Sequence, residues 1–157
     1  MIEIVPATPE LVRELGANMR DEDVLEAARL GYMPHTFAWK SFKRSFWANA
    51  GLIDGKVYAV WGLCGVALGR TGTPWFLTCA GFETDVPLID FALIYRREVK
   101  KMAKQFPLLE NWVDSTYTGS VRLLQIVGFK MDDPVPYGKN GASFRRFWLE
   151  SEEVAND

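Results

Sequence analysis

The segment from residue 75 to residue 116 constrains the fold most, because its pattern is strand, long helix, strand. The runs WFLTC (75–79) and NWVDST (111–116) have the length and the apolar content of buried strands. Residues 87–105 carry apolar side chains at helical spacing, and Pro107 follows where that spacing ends. Alternation of strands with an amphipathic helix is typical of an α/β domain with a mixed sheet.

The flanking residues continue this alternation. A strand pattern at 2–7 precedes Thr8-Pro9-Glu10, which supplies an N-cap, a proline at the first helical position and an early acid. Asp54-Gly55 is a strong hairpin-turn signal between two short apolar runs. The other predicted elements are a helix that starts at Asp21 and stops at Gly31, helices at 36–49 and 119–127, and strands at 50–53, 57–64 and 143–150.

The composition excludes several classes of protein. The chain has 157 residues and a net charge of −2, so we expect no general attraction for nucleic acid. No apolar run is long enough for a membrane span, and no signal peptide is predicted. Cys64 and Cys79 lie in separate apolar runs, which favours reduced, buried thiols over a disulfide. His35 is the only histidine and has no nucleophile motif nearby, so neither a metal site nor a catalytic triad is predicted.

Two stretches of the chain are rich in basic residues. In 36–49, Lys40, Lys43 and Arg44 alternate with aromatic residues. Such a helix usually turns its aromatic side chains to the core and its charges to solvent, and a protein interface is the main alternative. The second stretch, 96–104, lies towards the C-terminus of the predicted long helix, where cations are favourable.

Three longer stretches carry a family resemblance. They are DVLEAARLGYMP, PWFLTCAGF and LLENWVDSTYTGSVRLLQIVGF, the last ending in Gly128-Phe129. Together with the closing strand they resemble a small family of phage proteins typified by internal virion protein A of short-tailed coliphages. The resemblance covers residue 2 to about 149. It implies a bacteriophage protein that acts in the host bacterial cytoplasm or in the virion.

The order and lengths of the elements also resemble the GCN5-related N-acetyltransferase (GNAT) fold. This resemblance implies one GNAT-like domain at 1–150, with a mixed central sheet, helices on both faces and two splayed parallel central strands. An acidic, flexible tail would follow at 151–157. In that fold acetyl-CoA lies between the splayed strands, here 75–79 and 111–116, and the long helix points its N-terminus at the pyrophosphate.

The residues at the implied cofactor site depart from the GNAT pattern. The family's phosphate loop contains glycines, whereas FETDVPLID (82–90) has none and carries Glu83, Asp85 and Asp90. Carboxylates at close range disfavour a diphosphate. Counting back from Gly128-Phe129 places Leu124 where the family has a tyrosine that protonates the leaving thiolate. The pattern therefore indicates GNAT ancestry more than GNAT activity.

Candidate site residues remain at the ends of the two central strands. Glu83 or Asp114 could act as the general base, and Tyr117 could supply a proton, although packing is the other interpretation of this tyrosine. Ser115 and Ser120 could bind acetyl-CoA or the substrate, or cap the short helix. The predicted backbone contacts of the cofactor are Leu77, Thr78, Cys79, Ala80 and Gly81.

Two functions follow from this resemblance. The first is a GNAT-like protein that acts by binding a host protein or a virion component, with or without residual affinity for acetyl-CoA or CoA. The alternative is an active acetyl-CoA-dependent N-acetyltransferase that modifies a host protein or a small amine.

Overall fold

The computed structural model describes residues 2–66 and 68–151, so the predicted acidic tail beyond Ser151 lies outside the described residues. Here the helices are α1 (Pro9–Ala17), α2 (Asp21–Arg29), α3 (Pro34–Arg44), α4 (Phe82–Asp85), α5 (Leu88–Gln105) and α6 (Thr118–Val127). The strands are β1 (Glu3–Pro6), β2 (Ser45–Ile53), β3 (Lys56–Gly65), β4 (Thr71–Thr78), β5 (Leu108–Asp114), β6 (Lys130–Met131), β7 (Val135–Pro136) and β8 (Ser143–Glu150). None of these helices is long and apolar enough to cross a bilayer.

The described strands form one mixed eight-stranded sheet, as the sequence predicts for an α/β domain. Their order is β1-β2-β3-β4-β5-β8-β6, and β7 also pairs with β8. The central pair, β4 and β5, is parallel, and its ladder joins Thr71 to Leu108 and Gly72 to Leu109. A ladder at the beginning of both strands agrees with the predicted splayed pair. By internal contacts the chain divides into a first unit, 1–64 with 75–85, and a second unit, 65–74 with 86–157.

The first unit contains α1 to α4, β1 to β3 and the end of β4. Its local signals are confirmed: the Thr8 hydroxyl accepts a hydrogen bond from Leu11 N, and Pro9 opens α1. Asp54 and Gly55 both have positive φ, at 50° and 80°, as a tight turn between paired strands requires. Apolar side chains of α1, β2, β3 and β4 form its core, among them Leu15, Ala50, Val60 and Leu77.

The predicted helix at 36–49 is wrong over its last five residues. α3 ends at Arg44, and the chain continues as β2, which pairs with both β1 and β3. Ser45 marks the change, because its hydroxyl donates to Ser41 O at 2.6 Å and accepts from Trp75 Nε1 at 2.7 Å. Phe46, predicted on the helical stripe, lies exposed on the strand. Strand pairing therefore overrides the helical spacing of the aromatic residues.

The second unit contains the start of β4, then α5, α6 and strands β5 to β8. The predicted long helix, the helix at 119–127 and the strand at 143–150 are confirmed within one residue at each end. α5 buries one side of its surface through Phe91, Tyr95, Val99 and Met102. Gly128, with φ of 122°, ends α6, and the ring of the buried Phe129 follows. The short strands β6 and β7 are absent from the sequence prediction.

Candidate functional site

At the C-terminal end of β4, the edge opposite β3 is covered by the connection between α1 and α2. Arg20 N donates to Thr78 O at 2.9 Å, and Ala80 N donates to Asn18 O at 2.9 Å. These two bonds form an isolated antiparallel β-bridge at the end of β4. Backbone groups of Thr78 and Ala80, which the sequence predicts as cofactor contacts, are thus paired with the chain itself.

The amide of Thr78 is occupied as well. Its N–H donates to Asp23 Oδ2 at 2.9 Å, and its hydroxyl donates to the same oxygen at 3.1 Å. On the other edge of the strand, Cys79 N donates to Tyr58 O at 2.9 Å. To accept hydrogen bonds from these backbone N–H groups, the pantetheine arm of acetyl-CoA would have to replace bonds that the folded chain already makes.

Arg20 connects this bridge to the acidic residues around it. Its guanidinium lies 3.2 Å from Asp23 Oδ1 and 2.6 Å from Glu83 Oε1. Burial raises the pKa of Asp23, and this effect exceeds the lowering by Arg20 and by the hydrogen bonds from Thr78. Glu83 is 63% exposed, and its carboxylate is held by the guanidinium rather than aimed at a free site. Its role as a base stays a prediction.

The loop at the expected pyrophosphate position forms a helical turn, α4. Thr84 N and Asp85 N both donate to Gly81 O, at 3.1 and 2.9 Å, and Phe82 N donates to Cys79 O at 3.2 Å. A diphosphate cradle needs backbone N–H groups that point at the ligand, and these three point at carbonyls of their own turn. Two exposed carboxylates in α4 add negative charge. The N–H groups of Phe82, Thr84 and Asp85 are therefore not available to the diphosphate of acetyl-CoA.

In the second unit, the candidate base Asp114 is buried at the end of β5. Its Oδ1 atom accepts hydrogen bonds from Thr116 N at 2.9 Å and from the Thr116 hydroxyl at 2.7 Å. This arrangement is a local turn in which the carboxylate binds the backbone two residues on. The carboxylate therefore has a structural role that is independent of any proton transfer.

The remaining candidates also lie in the second unit. The Ser115 hydroxyl donates to Ser143 Oγ at 2.7 Å, which ties the end of β5 to β8. Tyr117 is half-buried at the N-cap position of α6, and Ser120 is buried in the first turn of that helix. Leu124, at the position of the family's tyrosine, is buried in α6. Catalytic and binding roles for Ser115, Tyr117 and Ser120 stay predictions.

The residues that sequence reasoning missed are Arg20 and Asp23. Neither residue has a role that the sequence pattern predicts. Asp23 binds a residue 55 positions away, so no local pattern marks the contact. Among the described residues, no group of three or more His, Cys, Asp or Glu could hold a metal ion.

No protein-family model matches the chain, and no curated protein matches it. Solved structures do. An N-acetyltransferase from Staphylococcus aureus is 17% identical with a TM-score of 0.71, covering 96% of this chain and 99% of that one. The acetyltransferase of GNAT family from Streptococcus pneumoniae is 12% identical with a TM-score of 0.67, covering 96% and 99%. The chain has the GNAT fold.

A third structure bears on the cofactor. It is a candidate acetyltransferase from Salmonella typhimurium, solved with its cofactor acetyl-CoA, at 12% identity and a TM-score of 0.70, covering 97% of this chain and 95% of that one. Identities this low establish the fold alone. The resemblance to the phage internal virion protein A-like family stays a prediction.

Proposed function

We propose that this GNAT-fold protein is phage-encoded and acts by binding a host protein or a virion component rather than by transferring an acyl group. Its place of action would be the host bacterial cytoplasm or the virion. The observation that carries the proposal is an exposed, half-apolar and half-basic face of α5.

This surface, called the α5 face below, is the exposed side of α5 formed by Ile89, Leu93, Arg97, Lys101 and Lys104. Its first two residues are apolar and open to solvent. Ile89 is 61% exposed and Leu93 is 53% exposed. One helical side continues from them at intervals of three or four residues through Arg97, Lys101 and Lys104, all exposed. Exposed apolar side chains that are grouped and flanked by charge are typical of protein interaction sites.

The charges of the α5 face indicate which kind of protein surface it would bind. Lys101 makes an ion pair with the buried Glu98 at 3.0 Å. Arg97 and Lys104 make no ion pair within residues 2–66 and 68–151, so their charges are available to a partner. The α5 face therefore fits a protein surface that presents apolar side chains beside Asp or Glu residues.

The bonding at the end of β4 supports the absence of acyl transfer. In the self-paired β4 edge and the helical turn α4, backbone N–H groups that could have bound acetyl-CoA already donate to other groups of the chain. Leu124 has no proton to donate. We therefore expect no heat and no thermal shift with millimolar acetyl-CoA in calorimetric titration and a melting assay.

The partner is tested by affinity capture from lysate, identification by mass spectrometry, and titration of the purified partner. Leu93→Asp should weaken that binding by roughly tenfold or more, since it places a carboxylate in the apolar part of the interface. Leu25→Asp is the matched control, because Leu25 is similarly exposed on α2. Equal affinities for both variants would contradict the assignment of the α5 face.

The second candidate is an acetyl-CoA-dependent N-acetyltransferase that modifies a host protein or a small amine. It is favoured by the likeness to the Salmonella typhimurium protein solved with acetyl-CoA. Micromolar binding of acetyl-CoA would replace the first proposal with this one. Glu83→Gln and Asp114→Asn would then identify the base through the pH profile of acetyl transfer.

A further inference from the structure

A cavity of about 530 Å³ lies between α1 and α3 in the first unit. Its wall is formed by Val12, Arg13, Gly16, Ala17, Thr36 and Trp39. Gly16 and Ala17 lie one helical turn after Val12 and Arg13. Because their side chains are small or absent, this part of α1 leaves room for the cavity. The volume lies within the range of about 300–1,000 Å³ that small-molecule sites occupy.

One cation, Arg13, lines this cavity, and two lysines lie on the same helix as the lining residue Trp39. The Arg13 guanidinium lies 5.3 Å from the centre of the Trp39 ring, and Lys43 Nζ lies 5.8 Å from the same ring. Lys40 Nζ lies 5.6 Å from the Tyr32 ring. In the part of the chain that the structure describes, none of these three cations makes an ion pair. α3 itself contains no Asp or Glu.

We propose that this cavity binds a small organic carboxylate with a flat apolar body. The body would pack against Val12 and Trp39, which supply the apolar wall. The carboxylate would accept paired hydrogen bonds from Arg13, whose planar fork matches a carboxylate, with Thr36 as a hydroxyl donor. An uncharged ligand could not accept this charge-assisted pair of bonds, and a cationic ligand would meet a like charge at Arg13. The site uses no residue of the α5 face, so it stands independently of the proposed function.

The test is calorimetric titration of the full chain with 2-naphthoate and with the uncharged 2-naphthalenemethanol. We expect the wild-type protein to bind the acid at least tenfold more tightly than the alcohol, and less tightly as salt concentration rises. Absence of binding at millimolar 2-naphthoate, or equal affinity for the alcohol, would overturn the proposal.

Two variants locate the site. Arg13→Gln removes the charge and should weaken 2-naphthoate binding by roughly tenfold. Ala17→Phe places a ring in the cavity and should abolish binding while the melting temperature stays close to wild type. Arg122→Gln, an exposed arginine on α6, is the matched control and should bind as wild type does. If all three variants bind equally, the ligand sits elsewhere and the assignment is wrong.

Discussion

The ends of β4 and β5 use the same chemistry over very different sequence distances. At each end a buried aspartate binds both the N–H and the hydroxyl of a threonine: Asp23 binds Thr78, and Asp114 binds Thr116. The first pair spans 55 residues and the second spans two. Thr78 is buried, whereas Thr116 is exposed. The Asp23 pair therefore holds a fold together, and the Asp114 pair shapes one turn.

Removing each carboxylate should separate the two roles most strongly. Asp23→Ala removes the acceptor of the buried Thr78 N–H and hydroxyl and one of the carboxylates that face Arg20, and should lower the free energy of unfolding by about 3 kcal/mol. Asp114→Ala should cost about 1–1.5 kcal/mol, because the exposed Thr116 groups regain water. Urea unfolding of both variants measures the difference.

Glu22→Ala is the control for the first of these changes. Glu22 also faces Arg20, at 3.5 Å, but its side chain is 40% exposed. Its loss should cost at most about 0.5 kcal/mol. If Asp23→Ala and Glu22→Ala were equally mild, Asp23 would be a surface partner of Arg20 and nothing more.

Removing the threonine hydroxyls tests the same difference between the two aspartate–threonine pairs, with smaller expected losses of stability. Thr78→Val keeps the shape of the side chain and removes one buried hydrogen bond, so we expect a loss of about 1.5 kcal/mol. Thr116→Val should cost about 0.5 kcal/mol, since Thr116 is an exposed residue whose hydrogen bond is confined to a local turn. Thermal unfolding in parallel distinguishes them, and a larger loss at Thr116 would reverse the proposed roles.

Titration of Asp23 should make the free energy of unfolding depend on pH. Burial holds its pKa above the ordinary value of 3.8. Between 3.8 and the folded pKa, the folded protein keeps a proton that the unfolded chain has released, so the free energy of unfolding falls as pH rises through this window. Asp23→Asn has no such proton. The stability of wild type relative to this variant should therefore decrease with rising pH, and an increase would contradict the assigned cause.

The ion pair of Glu83 should have the smallest effect. Its carboxylate is mostly exposed, and solvent screens its attraction to Arg20. Glu83→Gln should change the free energy of unfolding by at most about 0.5 kcal/mol in urea unfolding. A loss above 1 kcal/mol would make Glu83 part of the structural cluster with Asp23.

The sequence predicted structure that depends on neighbouring residues, and it missed contacts between residues that are far apart in the chain. Thr8-Pro9, Asp54-Gly55 and the periodicity of 87–105 are local signals, and the structure confirms each. The start of β2 at Ser45 was missed because pairing with other strands, not local spacing, fixes it. The Asp23–Thr78 contact was missed for the same reason.

The candidate site was predicted less completely than the fold. The positions of Glu83 and Asp114 at strand ends follow from the pattern of strands. Their bonding partners do not, because Arg20 reaches Glu83 from 63 residues away. α4 was also missed, since a four-residue helix rich in acids carries no apolar periodicity.

The bridge between Asn18–Arg20 and the end of β4 has a consequence for binding affinity. A segment of the same chain that occupies a strand edge is a tethered competitor, present at a high effective concentration that dilution cannot lower. Any molecule that pairs with Thr78 or Ala80 gains access only in the small fraction of time when this segment is detached. Its apparent affinity is reduced by that fraction. Weakening the attachment of residues 18–20 to β4 would therefore raise the apparent affinity for such a molecule without any new contact.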